Sequence, residues 1–141
     1  MLRSVLAVLG GFAVTMVASL GTDVVLMVLL PRSITEAQPP PTGLLLGILG
    51  YCCAYVVLGG YVTGLVARRA EVRHALVLGG IALAIGIAMT LPALLGQSSG
   101  PQMPGWFTAV TLAYVVPATA LGGYLRTLQR RAHAAAVKKV A

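Results

Sequence analysis

The chain has 141 residues, of which 58% are hydrophobic and 9% are charged, and its formal net charge is +7. Because soluble domains are about a quarter charged, this composition excludes a water-exposed surface over most of the protein and predicts a membrane protein. The basic residues lie at the ends of apolar runs rather than among polar and aromatic residues on one face, which argues against nucleic-acid binding.

Four apolar segments follow one another along the chain, and each ends at charged residues or at turn residues. A helix needs about 20 apolar residues to cross the hydrocarbon core of a bilayer, and every segment meets that length. We therefore predict an all-α membrane protein, with a single transmembrane domain over residues 1–141. Its four transmembrane helices cover about residues 2–30, 43–67, 75–95 and 106–125, and a basic cytoplasmic tail follows at 126–141.

The first segment has a second interpretation, a cleaved signal peptide, because Arg3 precedes the apolar run and small residues follow at Ala18 and Ser19. The apolar core of a signal peptide is about 7–15 residues long. Here the apolar run continues to Leu30. We therefore expect an uncleaved membrane anchor.

Lys and Arg residues are distributed unevenly between the two sides of the predicted membrane. Short loops rich in these residues stay in the cytoplasm. If successive helices alternate in direction, nine of the ten fall on one side and only Arg32 falls on the other, which predicts both termini in the cytoplasm (N-in, C-in). The nine are Arg3, Arg68, Arg69, Arg73, Arg126, Arg130, Arg131, Lys138 and Lys139.

A Leu-Gly-Gly triplet recurs once in each predicted helix, at a similar depth from the cytoplasmic end. The second and fourth copies extend to Leu-Gly-Gly-Tyr, which predicts two hairpins that are parallel repeats of each other. Helices in a bilayer associate where small residues let their backbones approach, so we predict that these glycines form a helix-packing layer, although contact between protomers is the alternative. They are Gly10, Gly11, Gly59, Gly60, Gly79, Gly80, Gly122 and Gly123.

Asp23 is the one acidic residue inside an apolar segment, since Glu36 and Glu71 fall in predicted aqueous loops. Thr15 and Ser19 share its i, i+4 stripe, so Asp23, Thr15 and Ser19 form a candidate intramembrane polar site. Two placements remain open, because Asp23 lies either at the outer boundary or, if the helix tilts, within the bilayer. If Asp23 is buried, its carboxyl group would be neutral, hydrogen-bonded or in a wet cavity. The candidate donors at comparable depth are Tyr51, Thr90, Thr111 and Tyr114.

The sequence contains no pattern typical of an enzyme. There is no nucleophile, His and acid set, no HExxH and no phosphate-binding glycine loop. Cys52 and Cys53 are adjacent, so they form neither a CxxC pair nor a metal-ligand spacing, and we expect them to pack as small apolar residues, with palmitoylation, redox or interhelical chemistry as alternatives. We predict no catalysis, no metal and no cofactor.

The stretch from Leu58 to Gly80, LGGYVTGLVARRAEVRHALVLGG, carries Gly-Gly-Tyr, Ala-Arg-Arg and His-Ala-Leu elements around one loop. In these elements the chain resembles a family of small four-helix bacterial inner-membrane proteins, and Pro104-Gly105-Trp106 is similar to that family's entry to its last helix. The resemblance implies the topology and a bacterial inner (plasma) membrane, but it implies no activity or substrate.

These observations predict a structural, accessory or interaction role in the membrane. The partners would be the lipid bilayer, with anionic headgroups at the basic inner face, and a membrane protein or further copies of the chain. The alternative is a small oligomeric transporter or channel-like protein in which Asp23 and its polar stripe line a path.

Overall fold

The computed structural model describes residues 2–29, 41–67, 70–95 and 103–140, and helices are the only regular secondary structure over these residues. Their bounds are α1 Leu2–Leu29, α2 Thr42–Ala67, α3 Glu71–Leu94 and α4 Gly105–Val140. All four are long and apolar enough to cross a membrane. The prediction of an all-α fold with four helices long and apolar enough to cross a membrane is therefore confirmed over these residues, and the four helices indicate a multi-pass membrane protein. Arg32, Arg68 and Arg69 were counted in predicting the orientation, and they lie outside the described residues.

The third helix begins at Glu71, four residues before the predicted start. Ala70 precedes it with a positive φ of 52°, and its carbonyl accepts the backbone N–H of Arg73 at 3.0 Å and that of His74 at 3.2 Å. Ala70 thus occupies the N-cap position, and residues 71–74 form the first turn of α3 rather than part of a loop.

The fourth helix does not end near Leu125 but continues without a break to Val140, for 36 residues in all. At 1.5 Å per residue it is about 54 Å long, whereas the hydrocarbon core of a bilayer is about 30 Å thick. The residues after Arg126 are mostly Ala, Arg, Leu and Gln, which favour helix. The predicted basic tail is therefore the last four turns of α4.

Helix α2 is the centre of the bundle, because it contacts α1, α3 and α4. Its most extensive contact is with α4, whereas α1 and α3 touch only sparsely and α1 does not contact α4 over the described residues. Gly11 of α1 lies against Gly59, and Asp23 lies against Tyr51, so α1 and α2 run in opposite directions.

The core of the bundle consists of small side chains. Ala7, Ala75 and Ala118 are buried, together with the hydroxyls of Thr63 and Thr119. Thr63 donates to the carbonyl of Gly59 at 2.9 Å, and Thr119 donates to that of Val115 at 3.0 Å. Both buried hydroxyls are thus satisfied within their own helices, as membrane helices allow.

One end of the bundle collects basic side chains. Gly64, near the end of α2, lies against the side chains of Glu71 and Arg126, while Ser4 of α1 and His74 of α3 line one cavity. The start of α1, the end of α2, the start of α3 and the turn of α4 around residue 126 therefore meet. We call this the basic end, defined by Arg73, His74, Arg126, Arg130 and Arg131.

Candidate functional site

Asp23 takes part in a polar contact between α1 and α2. The hydroxyl of Tyr51 donates a hydrogen bond to Oδ1 of Asp23. The ring centroid of Tyr51 lies 5.7 Å from that of Tyr55, whose hydroxyl is 2.9 Å from Oγ1 of Thr22. Asp23 itself is exposed on the surface of the bundle. Two tyrosines of α2 therefore hold two neighbouring polar residues of α1 along one seam.

Thr15 lies in the same seam, two turns from Asp23. Its hydroxyl is 3.0 Å from the carbonyl of Gly11 and 3.3 Å from that of Tyr55, to which it can donate across the helix contact. Ser19 is half-buried between Thr15 and Asp23 on the same helix. The structure thus places both ends of the candidate polar stripe against α2.

The other candidate donors to Asp23 lie elsewhere. Thr90 donates to the carbonyl of Gly86, and Thr111 donates to that of Phe107, each at 3.0 Å or less within its own helix. Tyr114 belongs to α4, a helix that α1 does not contact over the described residues. Of the four candidates, Tyr51 is the one that the structure pairs with Asp23. The two cysteines are free and half-buried.

Glycines allow α1 and α2 to touch backbone to backbone. A Cβ atom added to Gly11 would come within 2.5 Å of the carbonyl oxygen of Gly59, and one added to Gly59 would come within 2.9 Å of that of Gly11. The added atoms would also collide with the hydroxyls of Thr63 and Thr15, respectively. No larger residue fits at either position without moving a helix.

The contact between α2 and α4 is equally close. A Cβ atom on Gly60 would collide with the carbonyl of Thr119, and one on Gly122 would collide with the carbonyl of Val57 and lie 2.6 Å from the backbone nitrogen of Tyr61. Because the obstructing atoms belong to the backbone, they cannot rotate away as a flexible side chain can.

Glycines also line the contact between α3 and α4. A Cβ atom on Gly79 would lie 3.2 Å from Cα of Val116, and one on Gly123 would lie 2.7 Å from Cβ of Ala75. Six of the eight predicted glycines thus lie in three helix contacts. The other two, Gly10 and Gly80, face open space, since an added Cβ would meet nothing within 4 Å among the described residues.

Glu71 is a buried acidic residue, whereas the sequence placed it in an aqueous loop. Its side chain is only 4% exposed, and its Oε1 atom lies 2.9 Å from Nη1 of Arg130, whose side chain is 51% exposed. The loop assignment is wrong because α3 begins at Glu71, directly after the N-cap Ala70, and carries Glu71 under α4. An acidic residue in a first helical turn is a general signal of a helix start, and it would have indicated this one.

A cavity of about 480 Å³ opens at the basic end, lined by Leu65, Glu71, Arg126 and Arg130. Beside it, Nη1 of Arg126 donates to Oε1 of Gln129 at 2.8 Å, and the hydroxyl of Tyr61 donates to the same oxygen at 2.5 Å. The arginines are therefore held in place by neighbours on α2, α3 and α4 while their surface remains open.

Comparison of the chain with protein-family models, with curated proteins and with solved structures gives no match. The family resemblance therefore stays a prediction, and the arguments for function rest on the residues themselves.

Proposed function

We propose that this protein is a non-enzymatic accessory protein of the bacterial inner membrane. In this proposal two hairpins cross the bilayer, both termini lie in the cytoplasm, and the basic end contacts anionic lipid headgroups while exposed helix faces contact a partner membrane protein. The observation that carries the proposal is the basic end itself. Four arginines and His74 meet there, and Glu71 is the only acidic residue at that end among the described residues.

The charge of the basic end matches a cytoplasmic membrane surface. Each Lys or Arg near an anionic bilayer surface contributes about 1 kcal/mol of attraction. Arg126 and Arg130 are one turn apart on α4, and both line the open cavity together with Glu71, the ion-pair partner of Arg130. This attraction would anchor the cytoplasmic extension of α4 along the surface or close to it.

The partner contact would use α1, which is the least embedded helix. It contacts only α2 and, sparsely, α3 over the described residues, and it exposes large apolar side chains such as Val17 (72%) and Val28 (73%). Lipid tails satisfy such a face, but so does another apolar helix. The native membrane contains both the lipid and any partner protein, so the contact of this face is tested there.

Site-specific photo-crosslinking in native membranes tests this proposal. A photo-reactive residue at Val17 or Val28 should give one adduct of constant mass that contains a second, different protein, and the same residue at buried Ala118 should give none. Adducts that contain only further copies of the chain would contradict the accessory role.

A second candidate, a small oligomeric transporter, is favoured by the polar seam between α1 and α2. Tyr51, Asp23, Thr22 and Tyr55 form a continuous set of hydroxyl and carboxyl groups on an exposed side of the bundle. If two copies of the chain met across this seam, Asp23 would line the interface and could bind a proton or a cation.

Flux measurements separate this candidate from the first. In proteoliposomes a transporter should move protons or Na⁺ at a rate that Asp23→Asn abolishes and Asp23→Glu retains. Equal flux for the wild type and Asp23→Asn would exclude a transport role for this carboxylate.

A further inference from the structure

A cleft separates α1 from α3 at the basic end of the bundle. It has a volume of about 380 Å³, and Val5, Val8 and Leu9 of α1 face Val77 and Ile81 of α3 across it. These two helices touch only sparsely, so the cleft opens to the surface between them. Its walls are apolar apart from Ser4 and His74 near one end.

A second cavity of about 240 Å³, lined by Ala70, Arg73, His74 and Val77, lies next to the cleft on the side of the basic end. His74 and Val77 line both cavities, so the two cavities are adjacent, and Arg73 lines the one nearer the basic end. The imidazole Nδ1 of His74 lies 3.0 Å from the carbonyl of Ala70, which fixes the ring where the two parts meet.

The length of the combined groove matches one leaflet of a bilayer. From Ala70 to Ile81 the helix rises about 16 Å at 1.5 Å per residue. Half of the hydrocarbon core of a bilayer is about 15 Å. The rise from Arg73 to Ile81 is about 12 Å, so a molecule with its charge at Arg73 would have an apolar part that covers most of one leaflet.

We propose that this groove binds one anionic phospholipid of the cytoplasmic leaflet, with its phosphate at Arg73 and His74 and one acyl chain between α1 and α3. The site rests on the proposed function, because it assigns the lipid contact of the basic end to particular residues. The charge favours an anionic headgroup over a zwitterionic one. The size of the cleft favours an acyl chain over a helix, because a helix with its side chains is about 10–12 Å across, too wide for a cleft of about 380 Å³ between two helices that touch.

Native mass spectrometry of the detergent-purified chain with added phosphatidylglycerol or phosphatidylcholine tests the proposal. The wild type should retain phosphatidylglycerol about fivefold better, and Arg73→Gln should remove most of that preference. Arg131→Gln, which removes the same charge from the basic end but outside the groove, should lower the preference much less than Arg73→Gln does. Val8→Phe should lower retention of both lipids by filling the cleft, whereas Val110→Phe, on the exposed face of α4, should not.

Each contrary outcome has a distinct meaning. If the wild type shows no preference for phosphatidylglycerol, the proposed lipid contact of the basic end fails as a whole. The groove is overturned, and the basic end is not, if the wild type has the preference but Arg73→Gln keeps it, or if Val8→Phe retains both lipids as well as the wild type does. The same holds if Arg131→Gln loses as much of the preference as Arg73→Gln. A photo-reactive residue at Val8 that captures another polypeptide instead of lipid would also overturn the groove.

Discussion

Ala70 holds a backbone conformation that favours glycine. Its φ of 52° lies in the left-handed region, where the Cβ of an L-residue costs about 1 kcal/mol or more. The conformation turns the chain into α3 and thereby places Glu71 under α4. We expect Ala70→Gly to raise the midpoint of thermal unfolding in detergent. Glycine removes the backbone strain of the positive φ, and the carbonyl of residue 70 still accepts the hydrogen bonds of the first turn of α3.

The control for Ala70→Gly is Ala132→Gly in the exposed end of α4. There glycine should lower helix stability by about 1 kcal/mol, because the native conformation is helical and glycine loses more entropy. A higher unfolding midpoint for Ala70→Gly together with a lower one for Ala132→Gly would support backbone strain at Ala70. A loss of stability in both would contradict it.

The ion pair between Glu71 and Arg130 joins the start of α3 to α4. A buried carboxylate is costly without its partner, but Arg130 is half exposed, so solvent screens part of the interaction. We expect Arg130→Gln to lower the free energy of unfolding by about 1–2 kcal/mol, and the double variant Glu71→Gln with Arg130→Gln to recover part of that loss. Arg131→Gln is the matched control. Additive effects of Glu71→Gln and Arg130→Gln would show that the pair is not coupled.

Glycine contacts determine how closely the helices approach. Gly60→Ala adds one methyl group against the carbonyl of Thr119, which belongs to the backbone and cannot rotate away. We expect a loss of about 1–3 kcal/mol in the free energy of unfolding, measured by denaturation in mixed micelles. Gly80→Ala adds the same methyl group in open space and should change it by less than about 0.5 kcal/mol. Equal losses would indicate a general effect of glycine rather than close packing.

The sequence predicts the helices well because length and hydropathy alone decide what can cross a bilayer. It does not predict which glycine of each pair is used, since Gly11 is in contact while Gly10 beside it is open. That choice depends on helix rotation, which a recurring Gly-Gly pair leaves undecided. Glu71 was misplaced for a related reason, because its burial depends on α4 continuing past Leu125.

Polar residues of the candidate site were predicted only in part. The i, i+4 stripe from Thr15 to Asp23 identifies the face of α1 that contacts α2. Tyr51 was among the candidate donors because its predicted depth in the membrane is comparable to that of Asp23. The buried hydroxyls of Thr63 and Thr119 were not singled out, although Thr63 lies one turn after Gly59 and Thr119 three residues before Gly122. The spacing of three or four residues from a packing glycine puts each threonine on the same helix face as that glycine, and this spacing could have indicated their burial.

At the scale of the whole molecule the contacts are unequal. Two parallel repeats would make the contact between α1 and α4 equivalent to that between α3 and α2. Over the described residues α3 touches α2, whereas α1 does not touch α4. The repeat of hairpins stays a prediction, and the unequal contacts leave one side of α1 open, which is the side available to lipid or to a partner.

The predicted orientation of the bundle rests on the distribution of its charge. Arg126, Arg130 and Arg131 lie on the part of α4 that extends beyond a membrane-spanning length, and Arg73 lies at the same end. Moving this end across the membrane would require transfer of all these cations, so retention in the cytoplasm is favoured. We expect a fluorescent reporter fused after Ala141 to fluoresce and a phosphatase fused there to stay inactive.

Fusions after Ser98, between α3 and α4, are the internal control and should give the reverse pair of signals. Replacing Arg126, Arg130 and Arg131 together by Gln removes charge without changing the length of α4, so it should weaken the orientation and give phosphatase activity at both fusion sites. An active phosphatase after Ala141 in the wild type would place the basic end outside. The proposed contacts with cytoplasmic headgroups would then fail, while the packing of the four helices would stand.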